Sequence, residues 1–249
     1  MRLEVEAVSK DFDGVHALAG VSLYLEQGEI LSVIGPNGSG KTTLINCVSG
    51  VIRPSSGRIH LDERLLTGMP SHRVARTGLA RTFQNIRLFG DLTVLENVEV
   101  AASRSPRAKG FLRPRRRSRE AIAMLGLEAH ADTVVRTLPY GIQRRVEIAR
   151  AIATQPHFVL LDEPAAGLNE TESDQLLEII RTLRERLGCG MLVVDHDLRL
   201  IMRVSERIHV LAEGKTLATG SPQQVRHDPN VIEAYLGVSD AVAAAADSD

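Results

Sequence analysis

The sequence has few of the features that place a protein outside the cell or across a membrane. Its two cysteines, Cys47 and Cys189, are too few for a disulfide framework and lie among apolar residues. We therefore expect small core side chains in a reducing compartment. The longest apolar runs fall far short of the roughly 20 residues of a spanning helix. The opening MRLEVEAVSK contains acids and lacks the apolar stretch of a secretion signal. These absences predict a soluble chain that works at a membrane only through a partner.

An excess of either charge sign is also missing. Lys and Arg number 30 against 31 Asp and Glu, for a net charge of -1, so no global field favours nucleic acid or lipid. The exception is the basic run from Arg104 to Arg119, which holds seven Arg, one Lys and no acid. Such a run is typical of a solvated face, or of a docking surface for an anionic or membrane-side partner. Pro106 and Pro114 within it favour a loop between helices.

Strand and helix patterns alternate along the chain and predict an α/β fold. RLEVEAV and VSLYL predict two early strands, GLARTFQ (78–84) a short one, and the apolar runs in GEILSVIG, HFVLLDEP and CGMLVVDHD three buried ones. Helix starts are predicted at Thr93, where Glu96 completes a capping box, and at Ser221. A helix with one apolar face, closed by Gly188, lies between the last two buried strands. Strand, helix and strand in this order predict a parallel sheet.

The segment GPNGSGKT fits the phosphate-loop pattern G-x-x-x-x-G-K-[ST], with Gly35, Gly40, Lys41 and Thr42 at the fixed positions. Glycines let backbone N–H groups turn inward around the β- and γ-phosphates, at the positive end of the following helix. Lys41 adds a point charge to the same oxygens, and the Thr42 hydroxyl can ligate Mg²⁺. The alternative is a chance glycine-rich turn. The flanking buried strand and helix favour the phosphate loop, and hence binding of ATP with Mg²⁺.

A second strand end supplies acids that complement this loop. Asp162 follows four apolar residues in FVLLDEP and is placed to hold Mg²⁺ through water. Glu163, the next residue, can polarise an attacking water as general base. An Asp-Glu pair after a strand is otherwise often a helix N-cap. With a phosphate loop in the same chain, the catalytic interpretation is favoured.

Three further residues are candidates on weaker signals. His196 follows the apolar strand of VVDHD, and parallel sheets bind ligands at the carboxyl ends of their strands. Gln84 ends the predicted RTFQ strand, and its amide oxygen can reach a metal or a water. Phe12 is one of only five Phe in the chain, and it either packs in the core or supplies an apolar plate for an adenine ring.

The segment LPYGIQRRVEIAR, from Leu138 to Arg150, admits two interpretations. It is either a plain loop-to-helix junction or half of a nucleotide clamp whose usual serine is missing. A clamp needs backbone N–H groups at a helix N-terminus aimed at a partner's phosphate. Gly141 allows the close approach, and a helix from Gln143 onward supplies the dipole. Pro139 removes one donor and Ile142 removes a polar side chain, a loss of about 1–3 kcal/mol in such a clamp.

The order and spacing of these motifs resemble the ATP-binding subunit of an ABC transporter, over about residues 3–237. The motifs that carry the resemblance are the phosphate loop, Gln84, the Leu138–Arg150 segment, LLDEP, AGLN and His196. It implies ATP hydrolysis by in-line attack of water, with Glu163 as base, Lys41 and Mg²⁺ stabilising charge, and His196 contacting the γ-phosphate. The Mg²⁺ ligands are expected to be Thr42, Gln84 and Asp162.

The same resemblance implies an architecture. A phosphate-loop NTPase core, about 3–87 and 156–237, has an N-terminal antiparallel β portion and an inserted helical lobe, about 88–155. Residues 238–249 are expected to form a disordered tail. Two copies, or this chain and a paralogue, pair head to tail so that each ATP lies between one subunit's loop and the other's signature turn. The loop residues that bind nucleotide are Gly35, Asn37, Gly38, Ser39, Gly40, Lys41, Thr42 and Thr43, with Phe12 at the position of the adenine-stacking aromatic. The signature residues that act in trans are Leu138, Pro139, Tyr140, Gly141, Ile142 and Gln143.

Four stretches resemble one group of this family more closely. RTFQNIRLF, LPYGIQRRVEIARAIATQP, LDEPAAGLN and VIEAYLG are similar to the branched-chain amino-acid importers, a group that includes urea- and amide-type importers. The signature of this group reads Leu-Ala-Tyr-Gly-Gln-Gln, so the missing serine is a group trait and Tyr140-Gly141 fits it. Pro139 and Ile142 depart even from the group. Asn169 stands where many ABC proteins have Asp, and the group often has Asn there.

Several functions are compatible with these motifs. The first is the ATPase subunit of an importer of branched-chain amino acids or related small polar solutes. Its partners would be integral membrane permease subunits, a second ATPase subunit and, indirectly, a substrate-binding protein, at the cytoplasmic face of the inner membrane. The second is the ATPase of a lipid or polysaccharide exporter, since such subunits share RRVEIARA. Two further functions are disfavoured. An ABC ATPase of translation or DNA repair usually carries two nucleotide domains or a long coiled-coil insertion, and this sequence shows neither. A small-molecule kinase would leave the signature turn and His196 unexplained.

Overall fold

The computed structural model describes residues 1–104 and 112–236. This part of the chain forms two sheets and a set of helices. The strands are β1 (Arg2–Phe12), β2 (Val15–Glu26), β3 (Ile30–Ile34), β4 (Ser56–Leu61), β5 (Arg64–Leu65), β6 (Leu79–Arg81), β7 (Phe158–Asp162), β8 (Gly190–Val194), β9 (Arg207–Ala212) and β10 (Lys215–Gly220). The helices are α1 (Lys41–Val48), α2 (Ser71–Arg76), α3 (Val94–Arg104), α4 (Leu112–Met124), α5 (Tyr140–Ile152), α6 (Glu170–Leu187), α7 (Leu198–Val204), α8 (Pro222–Arg226) and α9 (Pro229–Leu236).

The smaller sheet is antiparallel, with the strand order β2-β1-β4-β5. Alternate apolar residues of β1, Leu3 and Val5, are buried, and after a register shift Val8 is the last buried residue of the strand. This is the antiparallel β portion that the sequence predicts. Its apolar face packs against the larger sheet, with which it shares one core cluster.

The larger sheet has the order β10-β9-β3-β8-β7-β6, and all neighbours are parallel except the β9–β10 hairpin. Every residue of β3, β7 and β8 is buried, as expected for strands covered on both faces. Leu31 and Val33 of β3 face the cluster shared with the smaller sheet and α1, whereas Ile30 and Ile34 face the helices of the other side. The predicted parallel strand pair around α6 is thus confirmed as β7 and β8.

This strand order determines which sequence motifs become neighbours. The carboxyl ends of parallel strands lie at one edge of a sheet, where ligands bind in open α/β folds. Along this edge the phosphate loop follows β3, His196 follows β8, Glu163 follows β7 and Gln84 lies three residues beyond β6. Strands far apart in sequence therefore bring the four motifs together.

Helix ends agree with the predicted capping signals. Thr93 and Glu96 form a reciprocal capping box at α3, and Ser221 and Gln224 form another at α8. On α6, Leu176, Ile180 and Leu183 are buried, and the helix ends at Gly188 in the left-handed conformation (φ 58°). A third capping box, between Asn169 and Glu172, begins α6 and was not predicted.

Three predicted boundaries are wrong. The strand over 78–84 is shorter, because β6 ends at Arg81 and Gln84 lies in a bend. The basic run is not all loop, since α4 begins at Leu112 and holds Pro114 in its first turn, where a missing N–H costs no helical bond. The clamp helix begins at Tyr140 instead of Gln143, because Pro139 occupies the N-cap with extended ψ (152°).

Some predictions fall outside these residues or remain predictions. Pro106 and the rest of 105–111, Gly237 and the tail 238–249 lie outside the described residues. Helices α3 to α5 follow β6 and precede β7, in the region predicted to be the helical lobe, whose boundaries at 88 and 155 stay a prediction. Among the described helices, none combines the length and the apolar character that a membrane crossing requires.

Candidate functional site

The phosphate loop has a backbone that only glycine can adopt at two points. Gly35 has φ 154°, and a Cβ there would lie 2.1 Å from the Leu211 carbonyl oxygen. Gly40 has φ 103°, and a Cβ there would lie 2.6 Å from the Ala17 carbonyl oxygen. Any side chain at either position would collide with backbone atoms, so the sequence motif meets a steric requirement of this fold.

The loop offers donors that suit an anion. Lys41 Nζ donates to the carbonyl oxygens of Gly35 (2.7 Å) and Pro36 (2.9 Å), so its charge lies over the loop. Burial lowers the pKa of Lys41, and the nearby Glu163 carboxylate opposes this shift. Helix α1 begins at Lys41 with Gly40 as its N-cap, so no side chain caps it, and within the described part of the chain the buried Ser39 hydroxyl has no partner. An uncapped helix N-terminus and an orphaned hydroxyl fit a phosphate.

Glu163 follows β7 at the carboxyl-end edge of the larger sheet and contacts two of the other candidate residues. Gln84 Nε2 donates to its Oε2 at 2.9 Å, and His196 Nδ1 lies 4.0 Å from the same oxygen. Its backbone has φ 47°, a conformation that non-glycine residues rarely adopt, and its N–H donates to the Val194 carbonyl at 2.7 Å. Strained residues of this kind cluster at functional sites, where surrounding bonds hold them. The structure therefore brings together Lys41, Gln84, Glu163 and His196.

Asp195 holds this arrangement and was missed by the sequence analysis. Its Oδ1 accepts the backbone N–H groups of His196 (2.8 Å) and Asp197 (3.0 Å), and its Oδ2 accepts that of Ala165 (3.0 Å). The carboxylate is fully buried and ties the His196 turn to the segment after Glu163. An acid beside a candidate histidine was visible in VVDHD, but its bonding was not.

Arg81 is a second residue that the sequence analysis missed. Its guanidinium donates to Asp162 Oδ2 at 2.8 Å, with both side chains less than a tenth exposed, and to Ser49 Oγ at 2.6 Å beyond the end of α1. The pair holds the predicted magnesium ligand in place and neutralises its buried charge. A lone arginine inside the apolar GLARTF strand was the only available signal. Thr42 and Asp162 both lie on this edge, so the residues present suit Mg²⁺ chemistry with oxygen ligands.

Phe12 is an exposed aromatic residue near the phosphate loop. It ends β1, is 44% exposed, and pairs with Val15 across the turn into β2. Two residues further along β2, the Ala17 carbonyl abuts Gly40. Lys10 Nζ lies 4.8 Å from the ring centroid. The core-packing interpretation is therefore excluded, and an exposed plate beside the loop remains.

The signature turn lies at a different place on the molecule. Leu138 is buried, and Gln143 Nε2 donates to the Leu138 carbonyl at 2.8 Å. A Cβ on Gly141 would lie 2.6 Å from Glu172 Oε1, so the glycine packs against the cap of α6. Tyr140 and Gly141 pack against the 165–172 segment, and the Tyr140 hydroxyl accepts a hydrogen bond from Arg144 Nη2 at 2.8 Å. The Ile142 side chain is half-buried and packs against the core cluster on the helical side of the larger sheet.

Comparisons with known proteins identify the family of this chain. A family model described as ABC transporter matches residues 18–166, and one described as branched-chain amino acid ATP-binding cassette transporter matches residues 215–241. The chain belongs to the ABC transporter family. It is an ABC ATPase, and the predicted phosphate-loop NTPase fold of that type is confirmed.

Individual relatives cover nearly the whole chain. The high-affinity branched-chain amino acid transport ATP-binding proteins LivG of Salmonella typhimurium and BraF of Pseudomonas aeruginosa are each 44% identical over 248 residues, 94% of this chain and 97% of theirs. The lipopolysaccharide export ATP-binding protein LptB of Acidithiobacillus ferridurans is 37% identical over 94% of this chain and 96% of its own.

Solved structures show the same fold. The ADP conformation of MJ1267, an ATP-binding cassette of an ABC transporter, matches with a TM-score of 0.84 and 27% identity over 95% of this chain and 99% of its own. A dimeric post-hydrolysis state of the cassette MJ0796, bound to ADP and Pi, matches with a TM-score of 0.78 and 28% identity over 88% and 98%.

Proposed function

We propose that this chain is the ATPase subunit of an ABC importer for branched-chain amino acids or related small polar solutes. The observation that carries the proposal is the 44% identity to LivG and BraF, against 37% for the exporter subunit LptB. The match of residues 215–241 to a model of the branched-chain group supports it. The lipid-exporter alternative is less well supported, because the identity to the exporter subunit LptB is lower.

The geometry at the sheet edge supports the proposed roles in hydrolysis. Glu163 acts as general base for the attacking water, and Gln84 at 2.9 Å orients its carboxylate. Lys41 supplies positive charge over the loop, and His196 contacts the γ-phosphate. Phe12 stacks on the adenine ring. Mg²⁺, held by Thr42, Gln84 and Asp162, would neutralise charge on the transferred phosphoryl group when bound.

Two such subunits complete each site by pairing head to tail. Among the described residues, no hydrogen bond joins the signature turn to the phosphate loop of the same chain. We infer that a second molecule brings its turn, Leu138 to Gln143, to the nucleotide. The dimeric cassette MJ0796 supports such pairing as a family property. We infer that a paralogue is the partner in the transporter, as the resemblance to the importer group implies.

A groove beside the Gln84 segment is where we place the membrane partner. It has a volume of about 490 Å³ and lies between α2 and β6 on one side and α3 and α5 on the other. Arg76, Arg104 and Arg150 line it beside Val51 and Phe83. A short permease helix with apolar and acidic side chains fits this lining. A substrate-binding protein would act on the far side of the inner membrane.

Reconstitution tests this function. The chain is assembled with its permease subunits and second ATPase in liposomes, and labelled leucine uptake is measured with the binding protein present. Uptake that requires ATP and is lost with Glu163→Gln is expected. ATP hydrolysis without uptake of leucine, but with uptake of another small polar solute, would show that the substrate is a different solute of the same importer group. Stimulation by lipid alone would instead favour the exporter.

Light scattering tests the clamp. Purified Glu163→Gln protein is measured with Mg²⁺, with and without ATP, because loss of the base should trap an ATP-bound pair. A pair that forms only with ATP shows that LPYGIQ is a competent clamp and that self-pairing suffices. A monomer at saturating ATP, with ATP binding confirmed, means either that Pro139 and Ile142 have weakened the clamp or that a paralogue or the membrane partner must complete it.

A further inference from the structure

Helix α5 carries a fully buried ion pair that the proposed hydrolysis does not use. Arg144 Nη1 lies 2.9 Å from Glu147 Oε2, and each side chain is 1% exposed. Burial raises the pKa of Glu147, and the Arg144 charge opposes that shift. Burying two charges is costly, and removing one partner leaves the other unpaired. The contacts of this pair show what it holds.

The pair binds the backbone next to Gln84. Arg144 Nη1 donates to the Phe83 carbonyl and Nη2 to the Gln84 carbonyl, each at 2.8 Å. Glu147 Oε1 accepts the Phe83 N–H at 3.2 Å. This backbone lies beyond the end of β6 and outside regular secondary structure. Three bonds from α5 therefore fix the segment from which the Gln84 side chain reaches Glu163.

The same guanidinium binds the signature turn. Arg144 Nη2 donates to the Tyr140 hydroxyl at 2.8 Å. The Tyr140 ring in turn packs on the 165–172 segment, since a Cβ on Gly167 would lie 3.0 Å from its Cε1. Both terminal nitrogens of Arg144 thus make two bonds each, which uses the planar fork of a guanidinium. A lysine has no such fork, and a serine or glycine at 140 has no group that reaches Arg144.

We propose that Tyr140 and Arg144 are positioning residues that join the signature turn to Gln84 within one subunit. This inference rests on the proposed roles of the turn and of Gln84. Contact of the turn with the nucleotide of the partner subunit then sets the position of Gln84 in the subunit's own site. The link also gives the tyrosine a role: its hydroxyl is bonded inside its own chain, to the group that holds Gln84.

Steady-state ATP hydrolysis tests this link. Tyr140→Phe removes one hydroxyl and keeps the ring, so the protein should fold, with a melting temperature lowered by no more than about 5 °C. We expect kcat to fall about tenfold, which corresponds to one hydrogen bond to a charged group, with KM for ATP unchanged because the loop and Phe12 are untouched. Arg144→Lys should lower kcat in the same way. Tyr24→Phe, on β2, is the matched control and should change neither parameter.

A double variant separates the link from a direct role of the hydroxyl. If Tyr140 acts through Gln84, then Tyr140→Phe should lower kcat no further in a Gln84→Ala background. The link would be overturned if Tyr140→Phe lowered kcat by the same factor with Gln84 present and with Gln84→Ala. An unchanged kcat in the single variant would also overturn it. The proposed base is tested separately, because Glu163→Gln abolishes hydrolysis whatever Tyr140 does. Loss of hydrolysis in Tyr140→Phe together with a raised KM would assign the hydroxyl to nucleotide binding instead.

Discussion

At the residue scale, the site is built from side chains whose positions depend on buried partners. Glu163 sits in a strained conformation, and the neighbours that fix it are Gln84, His196 and the Val194 carbonyl. Asp195 and Arg81 do not touch the attacking water in the proposed scheme. They hold the turn and the strand end that carry the reacting groups.

Arg81→Gln should expose how much Asp162 depends on a neighbouring cation. The change leaves a buried carboxylate unpaired, so we expect unfolding free energy to fall by about 3–5 kcal/mol in urea titrations. Mg²⁺ with ATP brings a cation to the same acid, so the gain in melting temperature on adding them should exceed that of the unchanged protein. Arg203→Gln, which breaks the half-exposed pair with Asp174, should cost less than about 1 kcal/mol. If Mg²⁺-ATP raised the melting temperature of Arg81→Gln and of the unchanged protein equally, the metal would not bind at Asp162.

Asp195→Asn should weaken both folding and hydrolysis. An amide offers one acceptor oxygen where the carboxylate offers two, so the bonds to His196 and to Ala165 cannot both persist. We expect a loss of about 1–3 kcal/mol in stability and a lower kcat, because the His196 turn shifts. The control is Asp197→Asn, which keeps an N-cap residue on α7. If kcat is unaffected while stability falls, Asp195 has a structural role only.

At the element scale, the hairpin of β9 and β10 carries a histidine that is buried without charge. Burial and the nearby Arg207 lower the pKa of His209 to about 4. Its ring nitrogens lie 3.1 Å from the Thr216 hydroxyl and 2.9 Å from the Thr219 hydroxyl. The ring therefore joins the two strands as a neutral group.

Acid should destabilise the protein through this residue. Between pH 6.5 and about 4 the unfolded chain binds a proton at His209 that the folded chain does not. Stability therefore falls as pH falls, by about 1.4 kcal/mol per unit and about 3 kcal/mol in all. Urea titrations of His209→Gln should show a shallower slope over this range than the unchanged protein. His72→Gln, at an exposed position, should keep the slope. An unchanged slope in His209→Gln would show that other groups carry the acid sensitivity.

At the scale of the whole molecule, the sequence of the signature turn affects how tightly two subunits pair around ATP. Helix α5 begins at Tyr140 behind an N-cap proline that offers neither an N–H nor a capping hydroxyl. In the proposed dimer this end of the helix faces the nucleotide of the partner. The closed pair should therefore be weaker than one with a serine at this point.

Pro139→Ser should tighten ATP-dependent pairing. A restored N–H to phosphate contributes about 1–3 kcal/mol, which corresponds to roughly 5- to 150-fold in the dissociation constant. Light scattering in the Glu163→Gln background measures it over a range of protein concentrations. The matched control is Pro70→Ser, because Pro70 is the N-cap of α2 with a similar extended backbone. Equal shifts in both variants, or none, would show that Pro139 does not limit the clamp.

Much of this molecule was determined by the sequence itself. The phosphate loop, the buried strands, the apolar face of α6 and the capping boxes at Thr93 and Ser221 depend on local chemistry, namely glycine torsions, periodicity and short-range hydrogen bonds. Such signals lie within a few residues of each other, so they are visible in a linear chain. The boundary errors at Leu112 and Tyr140 arose where a proline lies at the start of a helix, and the error at Gln84 arose where a bend follows β6.

Only the tertiary structure decided which distant residues became partners. The strand order β3-β8-β7-β6 brings His196, Glu163 and Gln84 to one edge, although they lie far apart in the chain. Burial then makes specific pairs necessary, because a charge such as Asp162 or Arg144 cannot remain unpaired in the interior. No local pattern encodes that Arg81 meets Asp162 or that Arg144 meets the Gln84 backbone. These contacts follow from the packing of strands and helices, which places the groups within bonding distance.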